Sequence, residues 1–78
     1  MLNDSKIIHG CKKHKKRAQR ELYEKYSPVM RAICYRYARN GAEAEDILQE
    51  GFIKIFTHIK QFKSKGSFEG WMKRIMVN

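Results

Sequence analysis

Apolar positions along the chain fall at steps of three and four, the spacing that lines one face of an α-helix, and no run of β-branched residues alternates with the period of two that marks a strand. Leu22, Tyr26, Met30, Ile33 and Tyr37 predict one long helix. Ala44, Ile47, Leu48, Phe52, Ile55, Phe56 and Ile59 predict a second, strongly amphipathic one over residues 42–60. Upstream, Ile7, Ile8 and Cys11 supply a narrower stripe for a short first helix capped by Asp4 or Ser5. Downstream, Phe68, Trp71, Met72, Ile75 and Met76 form the stripe of a last helix that starts at Ser67, with Glu69 in its first turn, and meets no stop signal before Asn78.

The breaks between these stripes complete the expected outline. Ser27-Pro28 predicts a kink or a restart, because Ser caps and Pro suits a first turn. Asn40-Gly41 predicts a helix end with Gly41 left-handed and a sharp reversal. Gln61 to Gly66 has no periodicity and predicts an exposed basic loop. The expectation is an all-α fold, a compact bundle of three long helices plus a short N-terminal helix. It forms one domain over residues 1–78, in which 1–17 is a basic helix and turn and 18–78 the helical core.

A chain of 78 residues buries only a modest core, yet 42% hydrophobic and 12% aromatic residues are ample for folding and exclude a disordered basic tail. Seventeen Lys and Arg against eight Asp and Glu leave a charge of +9, which concentrates polyanions and makes nucleic acid the natural partner. The charge is uneven. Residues 1–40 hold eleven basic and three acidic groups, whereas 41–60 are acidic through Glu43, Glu45, Asp46 and Glu50. No apolar run approaches the ~20 residues needed to span a membrane and no signal sequence follows Met1, so a soluble cytoplasmic protein with no membrane role is expected.

Cys11 and Cys34 form no spaced disulfide framework and read as reduced thiols. Helical spacing turns Cys11 away from His9, and with His14 the set falls short of the four ligands zinc takes, so no metal is expected. Neither a glycine-rich phosphate loop nor a nucleophile with its base can be assembled, so the chain is expected to bind and not to catalyse, with no cofactor. The run Lys12 to Arg17 fits either a nonspecific DNA contact or a solvated turn.

Two groups of residues carry binding chemistry. Asp46, Gln49 and Glu50 are spaced to project from one side of the second helix while Ile47, Leu48 and Phe52 turn inward, so their polar groups suit pairing with a basic partner; the plain alternative is a solvated helix face. Lys63, Lys65, Lys73 and Arg74 with Phe62, Phe68 and Trp71 combine charge and aromatic rings, as holding single-stranded bases requires. The alternative for the rings is core packing, with an edge of Trp71 exposed.

The run Asp46-Ile47-Leu48-Gln49-Glu50-Gly51-Phe52-Ile53-Lys54-Ile55-Phe56, then Phe68-Glu69-Gly70-Trp71-Met72-Lys73-Arg74-Ile75-Met76-Val77-Asn78, resembles the second region of bacterial sigma factors of the extracytoplasmic-function type. Leu22-Tyr23, Tyr26 and the helix to Arg39 extend the resemblance over residues 6–78. It implies that Asp46, Gln49 and Glu50, with Lys54, dock on a coiled coil of the large subunit of core RNA polymerase. It further implies that Phe62, Lys63, Ser64, Lys65 and Ser67, with Phe68, Trp71, Lys73 and Arg74, melt the minus-ten promoter element and capture a flipped base of the non-template strand. Asn78 matches the residue that opens the promoter-reading segment, and an anti-sigma protein is an implied partner. The family's separate helix-turn-helix domain is absent from these 78 residues. Two rival readings are a generic basic nucleic-acid-binding domain and a protein-interaction module covered by an anti-sigma partner.

Overall fold

The computed structural model describes residues 3–77. Asn3, in place of Asp4 or Ser5, caps α1 (Asp4–Lys12): its side-chain oxygen accepts the Lys6 backbone N–H at 2.9 Å. Asp4 is thereby free to reach α2 (Lys16–Tyr37), where its carboxylate accepts from Lys25 Nζ at 2.6 Å and from the Tyr26 hydroxyl at 2.5 Å. Burial opposes the charged carboxyl, but the hydrogen bonds from Lys25 and Tyr26 outweigh it and hold the Asp4 pKa below its ordinary value. Burial, and then the bond to Asp4, push the Tyr26 phenol well above its own.

The 22 residues of α2 form one unbroken helix, so the expected restart at Ser27-Pro28 does not occur. Pro28 removes one backbone donor, but burial of Tyr26, Ser27 and Met30 on either side carries the helix across it. The buried stripe is Ala18, Leu22, Tyr26, Met30 and Cys34, every fourth residue. Each such step advances about 40° around the helix, so the stripe winds, and α2 packs against all three other helices. Cys34 therefore occupies the inner position. Ile33 is half-buried and Tyr37, expected on the inner face, is 68% exposed.

Gly41 does not close α2. The helix ends at Ala38 in extended conformation, and Asn40 instead caps α3 (Gly41–His58) by accepting the Glu43 N–H at 2.8 Å, with Gly41 as its first residue. The reversal expected here is made by residues 38–40. A 3-10 turn, Ile59–Gln61, continues α3, close to the predicted 42–60. Gly66, with a φ of +77°, helps turn the following loop into α4 (Phe68–Val77). The described residues thus form the expected all-α bundle, with α2 and α3 as its long pair and 9 and 10 residues in α1 and α4. No described helix is long and apolar enough to cross a membrane.

All four helices share one core, in which Ile7, Leu22, Met30, Leu48, Ile55 and Met72 are fully buried. Cys11 and Cys34 are free and buried, and burial pushes the Cys11 thiol up to about 11, so it stays protonated at neutral pH. Gly10 is where α1 and α2 come closest: a Cβ placed there would stand 2.5 Å from the Ala18 Cβ, which is fixed to its backbone and cannot withdraw.

Gly10→Ala is therefore expected to destabilise the domain by about 1–3 kcal/mol through overpacking, with partial rescue by Ala18→Gly, measured as urea midpoints of the two single variants and the double. A second expectation concerns pH. Because the Asp4 pKa is lowered on folding, its contribution is present above the unfolded pKa and lost as pH falls through the folded one. Asp4→Asn should lower the midpoint at pH 7, and the gap to the parent should close as both are taken toward pH 3.

Candidate functional site

The inner stripe of α3, Ala44, Leu48, Gly51, Phe52 and Ile55, is buried, which turns Asp46, Gln49, Glu50 and Lys54 outward, all exposed. Ile47, expected to turn inward, is half-buried at the border. Asp4, Glu43, Glu45 and Glu69 are each paired within the chain, with Lys25, Arg39, Arg31 and Lys73. Asp46 and Glu50 have no ion-pair partner among the described residues. The same face carries Ile53, 64% exposed and seven residues beyond Asp46. The apolar stripe read from the sequence leaves Ile53 out, so its outward direction was legible in the register, one position off Leu48, Phe52 and Ile55, but it was not named as part of the face.

The orientation of this face is fixed from beneath. Arg31 donates to Glu45 through Nε at 3.0 Å, and the Tyr35 hydroxyl donates to the same carboxylate at 3.3 Å, tying α2 to α3 one residue before Asp46. The Arg31 hydrogen bond holds the Glu45 carboxyl below its usual pKa, so the tie persists at neutral pH.

The second group lies on the 62–67 loop and α4. Here the structure corrects the aromatic candidates. Phe62 and Phe68 are 4% and 7% exposed and offer no free ring face for a base. They pack into a cluster with Trp71 and Tyr26, with centroids 5.1 Å apart for Phe62 and Phe68, 5.9 Å for the stacked Phe68 and Trp71, and 5.8 Å for Tyr26 and Phe68. A chain this small has too few apolar side chains to leave such rings in water. Trp71 is half-buried and keeps an accessible portion above this floor.

Lys63, Ser64, Lys65 and Ser67 line the loop and are exposed, as is Arg74 on α4. Ser67 Oγ is occupied as the cap of α4, accepting the Gly70 N–H at 3.0 Å, and Lys73 Nζ pairs with Glu69 at 3.1 Å. Asn78 lies outside the described residues. One residue that sequence reading missed fixes the start of the loop: Lys12 Nζ donates to the Phe62 carbonyl at 2.7 Å, half-buried, across 50 positions of sequence. No local pattern signals such a bond. No group of three or more His, Cys, Asp or Glu placed to hold a metal occurs among the described residues.

The geometry is that of a helical bundle with an exposed polar face on α3 and a cationic edge over an aromatic floor on the 62–67 loop and α4. Residues 22–78 match the family Sigma-70 region 2. The chain is 36% identical over 73 residues to the ECF RNA polymerase sigma factor SigW of Bacillus subtilis, covering 94% of this chain and 39% of that protein. It is 36% identical over 58 residues to the ECF RNA polymerase sigma factor SigE of Mycolicibacterium smegmatis, covering 74% and 22%. To the RNA polymerase sigma-H factor of Pseudomonas aeruginosa it is 29% identical over 75 residues, covering 96% and 39%. The chain therefore belongs to the sigma-70 region 2 family, as a region 2 domain of the extracytoplasmic-function type. It spans about two fifths or less of the length of these relatives.

Ser67→Ala removes the α4 cap and should lower stability by about 1 kcal/mol. Lys63→Gln, on the exposed loop beside it, should stay within about 0.5 kcal/mol of the parent. Thermal melts of the two variants separate the capping role from the charge.

Proposed function

We propose that the chain is the part of a transcription initiation factor that docks on core RNA polymerase and engages the melted minus-ten promoter element. The observation that carries this reading is that Asp46 and Glu50 are unpaired among the described residues, in a chain that pairs half of its other carboxylates or more, on a face already oriented by the Arg31–Glu45 tie. Exposed carboxylates that project from a packed helix and have no ion-pair partner among the described residues suit a basic partner, because no such pair has to be broken on binding. Gln49 and Lys54 complete that face, and the family resemblance points to the large-subunit coiled coil of the polymerase as its counterpart.

For the promoter, Lys63, Lys65, Lys73 and Arg74 supply backbone charge and Ser64 a hydroxyl, while the accessible portion of Trp71 is the ring against which an unstacked base of the non-template strand rests. Phe62 and Phe68 act from below by setting the height and tilt of Trp71. Ser67 acts as the hinge that starts α4, and Asn78 would extend the reading edge. An anti-sigma protein would compete for these same faces. The domain binds and orients, and no chemical step is assigned to it.

Asp46→Lys and Glu50→Lys should each abolish or strongly weaken binding to core polymerase in a pull-down or anisotropy assay, with helical content by circular dichroism unchanged. Full binding by the folded variants would overturn the docking assignment. Absence of binding by the parent would leave a generic, salt-sensitive nucleic-acid-binding domain.

A further inference from the structure

The Lys12 to Arg17 run has no role in the docking face or the melting edge, yet its geometry is not that of a loose, solvated tail. The backbone closes α1 in a fixed turn: the N–H groups of Lys13 and Lys15 both reach the Gly10 carbonyl, at 3.1 and 3.0 Å, and that of His14 reaches the Cys11 carbonyl at 3.0 Å. His14 accepts a left-handed φ of 58° to make this possible, a conformation that non-glycine residues adopt at a cost. The run is therefore presented on a rigid turn.

The turn also does not stand alone. The bond from Lys12 to the Phe62 carbonyl fastens the end of α1 to the start of the basic loop. Lys13 and Lys63 are the immediate chain neighbours of that junction, so the end of the turn and the start of the basic loop, 50 positions apart in sequence, meet there. Lys13, Lys15, Lys16, Arg17, Lys63 and Lys65 are all exposed and have no ion-pair partner among the described residues. Glu21 and Glu24 line a shallow hollow on α2 together with Lys16 and Arg17, and Glu69 stands four residues beyond Lys65. The fold itself does not favour this arrangement. Lys16 and Arg17 occupy the first turn of α2, where the positive end of the helix repels them, and no acidic residue stands there to compensate.

We propose that Lys13, Lys15, Lys16 and Arg17 form a track for the phosphate backbone of double-stranded DNA, beside the loop whose Lys63 and Lys65 are assigned above to the melted strand, a reading on which its position next to that strand rests. The duplex is favoured over a single strand because the track has no exposed Phe, Tyr or Trp: Phe62 is buried in the core, and sequence-tolerant capture of unstacked bases needs such rings. Cations on a rigid frame without rings match regularly spaced phosphates, which position a protein without reading sequence. This track lies apart from the α3 docking face, and its test involves no polymerase.

The decisive experiment titrates the 78-residue chain against a duplex without a minus-ten-like sequence, and against a single strand of equal length, over about 50–200 mM salt. The parent is compared with the triple variant Lys13→Gln, Lys15→Gln, Lys16→Gln, its helical content verified. All three positions are exposed, and Lys12, which makes the structural bond, is kept. The expected result is roughly tenfold or greater loss of duplex affinity and a log–log salt slope shallower by about 0.9 for each phosphate no longer neutralised, with the single strand much less affected. Unchanged duplex affinity and slope in a folded variant would overturn the proposal. Equal loss on the duplex and the single strand would overturn its assignment to duplex DNA.

Discussion

The structure depends on the burial of one stripe of α3. Ala44, Leu48, Phe52, Ile55 and Ile59 leave water together against α2 and α4, and the larger of these side chains each contribute roughly 1.5–3 kcal/mol by burial. Among the described residues the buried side chains form one core cluster, so none stands apart to compensate for its loss. The same burial leaves the opposite face with no freedom of direction, because on an α-helix the residues between the inner positions must point out. Asp46, Gln49, Glu50 and Lys54 are oriented by the hydrophobic effect acting on their neighbours, and the Arg31–Glu45 pair adds a polar contact between α2 and α3 beside them.

The aromatic cluster performs the corresponding task for the other surface. Tyr26, Phe62, Phe68 and Trp71 come from three separate stretches of chain, and their mutual packing sets where the loop begins and where α4 starts. Two polar contacts finish the positioning: Ser67 at the first turn of α4 and Lys12 on the Phe62 carbonyl. Phe62 and Phe68, candidates for base stacking by sequence, thus form a buried floor, and Trp71, half-buried at the edge of the cluster, is the ring that keeps an accessible portion.

Charge is distributed along the same division. Two of the paired carboxylates occupy seams between elements, Asp4 between α1 and α2 and Glu45 between α2 and α3, while Glu69 pairs with Lys73 within α4. Unpaired charges collect on faces turned to solvent: acidic on α3, basic at the α1–α2 turn and the 62–67 loop. Separated in this way, the two fields point in different directions, and under the proposed function they would steer a protein and a polyanion to different faces.

Most of the fold was legible in the sequence, because helical periodicity and capping chemistry are local properties. The stripes of α3 and α4, the Ser67 start and the polar loop all follow from residues within one or two turns of each other, and so does the outward projection of Asp46, Gln49 and Glu50. The local reading failed where packing decides between similar local options. Tyr37 and Cys34 both fit a stripe on α2, and the winding of that stripe among three partners selected Cys34. Asn40 serves either to end one helix or to begin the next, and the cap on Glu43 N–H settled it. The burial of Phe62 and Phe68 and the joining of the Lys12 turn to the Phe62 loop were decided by tertiary structure alone. Those features depend on which distant side chains meet, and a pattern that repeats every three or four residues carries no record of a bond made between residues far apart in the chain.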